Sequence, residues 1–419
     1  MDATRSTRSE DAVEFGARAE AWIAERRPRR PSADGPSRWG EGSDGVALFH
    51  NLSPDEERAV VDDQRAWYCE KATQGFHAIG WATEFGGLGL GRDYESAFAV
   101  AEAKFVTPSS HEAVGITRDL IAPTIRAHGT PEQTARFVAP MLRTDEMWCQ
   151  LMSEPGAGSD VAAMSTRASR DGDGWVVNGQ KVWTSGAQFA DYGYLLARTD
   201  TDVAKHKGIT GFIVDMRSPG VTVRPLRQMS GGSSFNEVFF DDAVVPDSMR
   251  LGGVGQGWAV AMTTLGFERG STGGGGAGGS VGGHMIRLLQ LAEHTGAGAD
   301  LVIRQALARA WTNQRLLGMN SQRVKAKSRA GQTPGPEGSI GKLAWTKGLT
   351  EMATVASTIL GPRLTADTGE WGTYAWVDFL LGGCGYRVAG GTDEIQRNII
   401  AERALGLPRE PEPHNKATT

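Results

Sequence analysis

Three short stretches of this 419-residue chain combine groups that could bind a phosphorylated cofactor with a ring system. They are residues 150–160 (QLMSEPGAGSD), residues 181–186 (KVWTSG) and residues 390–398 (GGTDEIQRN). Glycines in the first stretch lack a Cβ, so their backbone N–H groups can closely approach an anionic group. The second stretch supplies an aromatic wall and two hydroxyl groups. Taken one at a time, Trp183 could equally be a core aromatic, and the glycines could be ordinary turn residues.

In order and spacing, these stretches resemble the acyl-CoA dehydrogenase family. The first is similar to the family's (T/S)EPGAGSD loop, and the second to its W-x-(T/S) flavin strand. The third is similar to its C-terminal cofactor-binding segment and continues here into residues 398–403, NIIAER. The resemblance covers most of the chain, and on it the chain is identified as a member of this family of FAD-dependent enzymes.

The resemblance implies which residues contact FAD. Trp183 would lie along the isoalloxazine ring, with Thr184 and Ser185 near its N5 edge, and Ser159 would reach the pyrophosphate. Thr392 would lie at the flavin and could also be a helix N-cap. The implied cofactor-binding set is Met152, Ser153, Gly158, Ser159, Trp183, Thr184, Ser185, Gly361, Thr392 and Glu394. At Gly361, the following Pro362 departs from the family's adenine-facing glycine pair.

Gly390 occupies the position where most family members carry the catalytic glutamate. Removing an α-proton from a thioester requires a carboxylate beside the substrate and hydrogen-bond donors on the carbonyl oxygen. Isovaleryl- and long-chain-type members place the carboxylate on a C-terminal helix, immediately before an arginine, and carry a small residue at the usual position. This chain has Glu268-Arg269 at the corresponding place. The resemblance therefore implies Glu268 as the base, with Arg269, Gly390 and Gly391 binding the substrate. A Glu-Arg pair could instead form a solvated helix face.

The implied reaction converts an acyl thioester, carried by CoA or by a carrier protein, to the 2,3-enoyl thioester. Glu268 would take the α-proton and flavin N5 the β-hydride, and an electron-transfer flavoprotein would reoxidise the flavin. Two alternatives remain open: a flavin oxidase or monooxygenase on the same scaffold, and a catalytically silent, FAD-holding subunit of a heterotetramer. The assembly implied is a homotetramer, a homodimer or a heterotetramer with a related subunit.

Hydrophobic periodicity and capping signals predict the elements that position these residues. Helical signals at residues 53–56 and 130–133 give way to short strands after about residue 148, and helical patterning resumes near Gly257. Asn178-Gly179, flanked by alternating apolar residues, predicts a β-hairpin. The expected fold class is α+β. An N-terminal all-α domain covers residues 1–146, a middle flavin-binding antiparallel β-barrel or sandwich covers residues 147–256, and a C-terminal four-helix bundle with a polar tail covers residues 257–419.

Composition narrows the possible partners and location. The formal net charge of −5 offers no basic surface for nucleic acid. Cys69, Cys149 and Cys384 are widely spaced and form no CxxC pattern, so neither disulfides nor a metal site are expected. No run approaches the roughly 18 apolar residues of a membrane span, and the N-terminus lacks a signal sequence, so a cytoplasmic protein is expected. Residues 274–279 match GxGxxG but follow no strand, which argues against nicotinamide binding.

Overall fold

The structure is a computed structural model that describes residues 11–31, 38–272, 281–329 and 335–409. Within those ranges the side chains of residues 269–272, 281–282 and 328–329 are not described. The glycine-rich residues 274–279 lie outside the described ranges, as do the tail residues beyond 409.

The N-terminal part is helical. Its helices are α1 Ala12–Ala24, α2 Pro54–Ala72, α3 Arg92–Glu102, α4 Glu112–Gly115, α5 Ala122–His128 and α6 Pro131–Arg143, and a π-helical stretch, Ile116–Ile121, joins α4 to α5. Both predicted start signals are confirmed as capping boxes. Ser53 and Glu56 exchange hydrogen bonds before α2, and Thr130 and Gln133 do the same before α6.

Eight strands form the middle layer, in one sheet of order β6-β7-β3-β2-β4-β5-β8 with β1 beside β4. They are β1 Trp148–Leu151, β2 Arg167–Asp171, β3 Gly174–Ser185, β4 Tyr192–Arg198, β5 Ile209–Asp215, β6 Val221–Leu226, β7 Phe235–Pro246 and β8 Arg250–Leu251. Pairing is antiparallel except for β1 with β4 and a single parallel β2–β4 bridge.

The predicted hairpin at Asn178-Gly179 is wrong, because β3 runs through both residues as one strand with a bulge. The Asn178 side chain donates to Asp242 Oδ1 and accepts from the Asp242 N–H, both at 2.9 Å, which fixes the bulge against β7. Gly179 has a φ of +149° and passes so close to Thr166 that a Cβ would lie 2.5 Å from its Oγ1. The glycine therefore serves a close approach between strands, and the chain reverses at Gly172 instead.

Helices resume at the C-terminal end: α7 Gly257–Thr272, α8 Val281–His294, α9 Leu301–Arg329, α10 Glu337–Leu360, α11 Trp376–Tyr386 and α12 Asp393–Ile399. Thr392 is the N-cap of α12, as predicted. The predicted α+β arrangement of helices, sheet and helices is confirmed. Helix α7 packs against α5: Thr264 Oγ1 lies 3.0 Å from Thr124 Oγ1, and Thr263 Oγ1 lies 2.8 Å from His128 Nε2.

The segment before α2 packs against the C-terminal helices. Val46 and Leu48 are buried in the core formed by α8 to α11, and Tyr386 Oη donates to the Leu48 carbonyl at 3.2 Å. The ring of Phe49 stacks on Tyr386 with centroids 4.5 Å apart. This contact joins residues more than 300 positions apart and ties α11 to the segment before α2.

Replacing Gly179 by alanine is expected to lower the free energy of unfolding by about 1–3 kcal/mol, because the added Cβ must push Thr166 away. Gly318→Ala is the matched control. Gly318 lies in α9, and none of the described neighbours comes within 4 Å of its Cβ position, so alanine there should raise stability by about 0.5–1 kcal/mol. Urea unfolding of the two variants measures the sign of each change in the free energy of unfolding. An unchanged or raised value for Gly179→Ala would contradict the close approach to Thr166.

Candidate active site

A buried ion pair joins the glycine loop at residues 153–160 to strand β3. Lys181 Nζ lies 2.8 Å from Glu154 Oε1, and both side chains are almost completely buried. Glu154 also accepts hydrogen bonds from the backbone N–H groups of Ser165, at 2.6 Å, and Thr166, at 3.0 Å. Burial alone would raise the pKa of Glu154, but the Lys181 charge and these hydrogen bonds lower it to about 2. Burial lowers the pKa of Lys181 to about 8, so both groups are charged at neutral pH.

The ion pair and the backbone of β3 hold the loop in one shape. Lys181 Nζ also donates to the Met152 carbonyl at 3.0 Å, and the Val182 N–H donates to the Ser153 carbonyl at 2.9 Å. Glu154 and Ala157 exchange backbone hydrogen bonds, which closes the turn between them. Among the described residues, no heavy atom outside the adjacent residues lies within 4 Å of the Cβ positions of Gly156 and Gly158, so the loop is open to an approaching anion on that side.

Trp183 is held outward by an unusual backbone conformation. Its φ is +62°, in a region that non-glycine residues rarely adopt, and its side chain is 60% exposed. The pairing of β3 with β7 shifts register between Lys181 and Thr184, which turns the intervening residues. The Phe235 ring meets the indole edge-on at 6.0 Å. Such strained positions cost on the order of 1–3 kcal/mol and concentrate at functional sites.

Beside Trp183, the Thr184 side chain points inward. Its Oγ1 is buried and has no hydrogen-bond partner among the described residues, while its carbonyl accepts from Asn236 Nδ2 at 3.1 Å. An outward indole beside an open glycine turn matches two of the things that a flavin requires: a ring wall and donors for the pyrophosphate. The residues therefore fit a flavin cofactor.

Glu268 lies against the turn that precedes α12. Its Oε1 is 3.1 Å from the position that a Cβ on Gly390 would occupy. Gly390 and Gly391 have φ values of +65° and +86°, which glycine adopts without strain. Gln396 Nε2 donates to the Gly390 carbonyl at 2.9 Å, and Lys342 Nζ donates to the Gly391 carbonyl at 2.7 Å. Within the described ranges no residue accepts from the Gly390 N–H.

A chain of aromatic contacts connects these two regions. Trp183 contacts Phe235, whose ring centroid lies 5.4 Å from that of Phe49, and Phe49 stacks on Tyr386 at 4.5 Å. Tyr386 ends α11, four residues before Gly390. These contacts link the region of Trp183 to helix α11, which precedes the Gly390 turn.

The predicted residues do not all meet within one chain. Met152, Ser153, Trp183, Thr184 and Ser185 cluster at β1 and β3, with Gly158 and Ser159 at the exposed tip of the loop. Glu268, Gly390, Gly391 and Thr392 cluster at the α12 turn. In contrast, Gly361 ends α10 about 28 Å along the helix from Lys342. Glu394 is exposed and pairs with Arg397 at 2.8 Å, and the Arg269 side chain is outside the description.

Sequence reasoning missed three charged residues at the site. Glu154 and Lys181 lie inside the first two motifs, and the presence of one opposite charge in each could have suggested a pair. Glu112 begins α4, close to Ser185, and burial raises the pKa of its carboxyl, an effect that the Ser185 hydroxyl partly offsets. Its Oε1 is buried without a partner among the described residues. No sequence pattern distinguishes this glutamate from an ordinary one in the first turn of a helix.

Comparison with known proteins agrees with this geometry. Family models for the N-terminal, middle and C-terminal domains of acyl-CoA dehydrogenases match residues 51–145, 149–243 and 255–405. "Acyl-CoA dehydrogenase IpdE1" of Mycobacterium tuberculosis is 38% identical over 408 residues, which cover 96% of this chain and 99% of that protein. The IpdE1 of Mycolicibacterium smegmatis is also 38% identical, over 88% of this chain and 94% of that one.

The chain belongs to the acyl-CoA dehydrogenase family. This confirms the resemblance stated from the motifs and makes the chain a member of a family of flavoprotein oxidoreductases. Among solved structures, the "Tcur3481-Tcur3483 steroid ACAD" is 25% identical with a TM-score of 0.71, covering 95% of this chain and 98% of that one. The ChsE4-ChsE5 complex from Mycobacterium tuberculosis is 26% identical with a TM-score of 0.69, covering 97% of this chain and 100% of that one.

Two negative findings concern the described residues of this acyl-CoA dehydrogenase. No helix in the described ranges is long and apolar enough to span a membrane. In the same ranges no group of three or more His, Cys, Asp or Glu side chains could hold a metal ion.

Glu154→Gln is expected to lower the free energy of unfolding by about 3–5 kcal/mol, because it leaves the buried Lys181 charge unpaired. Replacing both partners, as Glu154→Gln with Lys181→Met, should recover most of that loss. Because the pKa of Glu154 is about 2 in the folded protein against 4.5 for an ordinary glutamate, the pair stabilises the fold above pH 4.5. The difference between wild type and Glu154→Gln should therefore shrink as the pH falls below that value. Denaturant unfolding across this range is the measurement; a constant difference would contradict the charge-pair account.

Proposed function

We propose that this chain catalyses the FAD-dependent α,β-dehydrogenation of an acyl-CoA thioester to the 2,3-enoyl thioester, with Glu268 as the general base. The observation that carries the proposal is the 3.1 Å separation between Glu268 Oε1 and the Cβ position of Gly390. A carboxylate from α7 therefore reaches the place where most family members begin the side chain of their base. A side chain at residue 390 and the Glu268 carboxylate would compete for the same volume. This accounts together for the two departures from the commoner family pattern, the glycine at position 390 and the glutamate at position 268.

The chain's own groups supply two parts of the reaction. Glu268 removes the proton from the carbon next to the thioester carbonyl, and the Gly390 N–H donates to the carbonyl oxygen, where negative charge develops. Gln396 donates to the Gly390 carbonyl and Lys342 to the Gly391 carbonyl, so side-chain hydrogen bonds fix the conformation of the turn. FAD, when bound, would accept the hydride from the adjacent carbon.

The cofactor is proposed to be FAD rather than a smaller flavin. Trp183 would form one wall of the ring site, Met152, Ser153, Thr184 and Ser185 would line its edge, and Gly158 and Ser159 would bind the pyrophosphate. Thr392 would contact the flavin. Gly361, at the end of α10, and Glu394, exposed in the first turn of α12, are proposed to bind the adenine end of a cofactor shared with another subunit.

The names of two relatives bear on substrate and assembly. One solved relative is described as a steroid acyl-CoA dehydrogenase and another as a complex of two different proteins. We therefore include ring-bearing acyl groups beside straight-chain ones among the candidate substrates. We also propose that this chain assembles as an oligomer, either with itself or with a related subunit. An electron-transfer flavoprotein is the proposed electron acceptor.

Anaerobic mixing with acyl thioesters tests the proposal against its alternatives. Wild-type protein loaded with FAD should lose its flavin absorbance on mixing with a substrate thioester and should reoxidise slowly in air. Rapid reoxidation in air would indicate an oxidase. A protein that retains FAD but is not bleached by straight-chain or ring-bearing thioesters, linked to CoA or to a carrier, would be a silent subunit.

Glu268→Gln is expected to retain FAD and to slow flavin reduction at least about a hundredfold, because a positioned general base contributes roughly 10² to 10⁴ in rate. Stopped-flow absorbance under anaerobic conditions measures the rate. Glu293→Gln, which changes an exposed glutamate on α8, is the matched control and should behave as wild type. Near-normal reduction by Glu268→Gln would remove this residue from the mechanism.

Gly390→Glu alone is expected to lower activity, because two carboxylates would share one cavity and raise each other's pKa. Combined with Glu268→Gln, it should restore part of the lost rate. Gly390→Ala separates the two causes of any loss, since it adds a Cβ at a positive φ without adding a carboxylate. If the double variant reduces flavin no faster than Glu268→Gln while still binding FAD and substrate, the two positions do not serve one interchangeable role.

A further inference from the structure

Lys342 is a buried lysine on α10, and none of the carboxylates that the structure describes is recorded at hydrogen-bond distance from its Nζ. Its side chain is about 6% exposed, and its Nζ donates at 2.7 Å to the Gly391 carbonyl, a neutral group. The nearest carboxylate oxygen among its described ion pairs is Asp393 Oδ1, at 4.0 Å. A lysine buried in this way is costly unless its charge interacts with an opposite one.

Asp393 is already bound by other groups. Its Oδ2 accepts from Arg387 Nε at 2.8 Å, and its Oδ1 accepts from Thr346 Oγ1 at 2.9 Å. Burial would raise the pKa of Asp393, but these hydrogen bonds and the nearby cations hold it below its usual range. Asp393 is therefore matched chiefly by Arg387, and it cancels the Lys342 charge only in part.

The remaining negative neighbours of Lys342 are Glu268 and Glu394. Glu394 is exposed, and Arg397 pairs with it at 2.8 Å. Glu268 is the half-buried neighbour, on the side of the turn where its Oε1 approaches Gly390. Helices α7 and α10 pack against each other. The two side chains approach successive glycines of one turn, Glu268 at Gly390 and Lys342 at Gly391.

We propose that Lys342 is a positioning residue for the reaction at this site, which holds the Gly390-Gly391 turn through the Gly391 carbonyl and faces the Glu268 carboxylate with its positive charge. The inference rests on the proposed function for its catalytic meaning. One side chain thereby interacts with both the turn and the base. The turn carries the backbone donor for the thioester carbonyl, and α7 carries Glu268.

The charge makes a prediction that a purely structural lysine does not. An opposite charge nearby favours the ionised form of a carboxyl group, so removing it should raise the pKa of Glu268. The other charged groups around Lys342 are Asp393, Arg387 and Glu394, with Arg269 next to Glu268 on α7; all remain in place in the variants. Since the base must be ionised, the acid limb of the rate profile should move to higher pH by the same amount.

Two substitutions separate the charge from the hydrogen bond. Lys342→Met removes both, whereas Lys342→Gln removes the charge and retains an N–H donor. Lys342→Arg retains the charge and should keep the wild-type pH profile. Lys71→Met is the matched control, since Lys71 is similarly buried, with an ion pair to Glu102 at 3.2 Å in the N-terminal helices.

The experiment measures the pKa of Glu268 by infrared titration of its carboxyl band, assigned as the band that Glu268→Gln removes, together with the pH profile of anaerobic flavin reduction. We expect both to shift upward in Lys342→Met and Lys342→Gln and in neither control. A rate loss that is equal at every pH, with an unchanged carboxyl band, would overturn the proposal and leave Lys342 as scaffold. If wild-type protein reduces no flavin with any thioester while the band still shifts, the proposed function fails and the Lys342–Glu268 interaction stands.

Discussion

The site depends on one buried ion pair. Glu154 lies in the glycine loop and Lys181 in the following strand, and their 2.8 Å contact locks two segments that must act together. Hydrophobic packing alone could not fix this register, because the loop itself is exposed. Breaking such a pair leaves an uncompensated buried charge, so the loop cannot easily leave the strand. The same ion pair helps to fix the position of the outward Trp183 indole, because Trp183 lies two residues after Lys181 on the same strand.

A second constraint is steric and lies at the turn before α12. Gly390 has no side chain and adopts a left-handed conformation. The Glu268 carboxylate, from helix α7, lies 3.1 Å from the position that a Cβ on Gly390 would occupy. In this account the base is supplied from α7 while the backbone donor stays at the turn. Separating the two groups onto different elements means that their relative position depends on how α7 packs against α10. Lys342, on α10, donates to the Gly391 carbonyl of that turn, and in our proposal its charge faces Glu268.

Much of the fold followed from local sequence. Ser53 and Thr130 marked helix starts because a capping box is a short-range interaction that needs only four residues. The motifs and the change of period near residue 148 gave the order of helices and strands, and the family assignment is confirmed. The pairing of Glu268 with Gly390 came from resemblance, and the 3.1 Å separation now supports it.

What sequence reasoning missed depends on distant partners. Asn178-Gly179 has the composition of a hairpin turn, yet contacts with Thr166, outside the strand, and with Asp242, on another strand, convert it to a bulge. Lys342 sits in an otherwise apolar helical stretch, and its role is invisible until the turn at Gly391 is placed beside it. The contact between Phe49 and Tyr386 spans most of the chain and has no local signature.

The most direct test of the central claim is a crystal structure of the FAD-loaded protein with a non-reactive acyl-thioester analogue. The distance to measure joins the Glu268 carboxylate to the carbon next to the thioester carbonyl. The account predicts a separation of about 3–3.5 Å, with the Gly390 N–H donating to the carbonyl oxygen. A complex in which Glu268 points away, and another carboxylate such as Glu112 lies against that carbon, would contradict it.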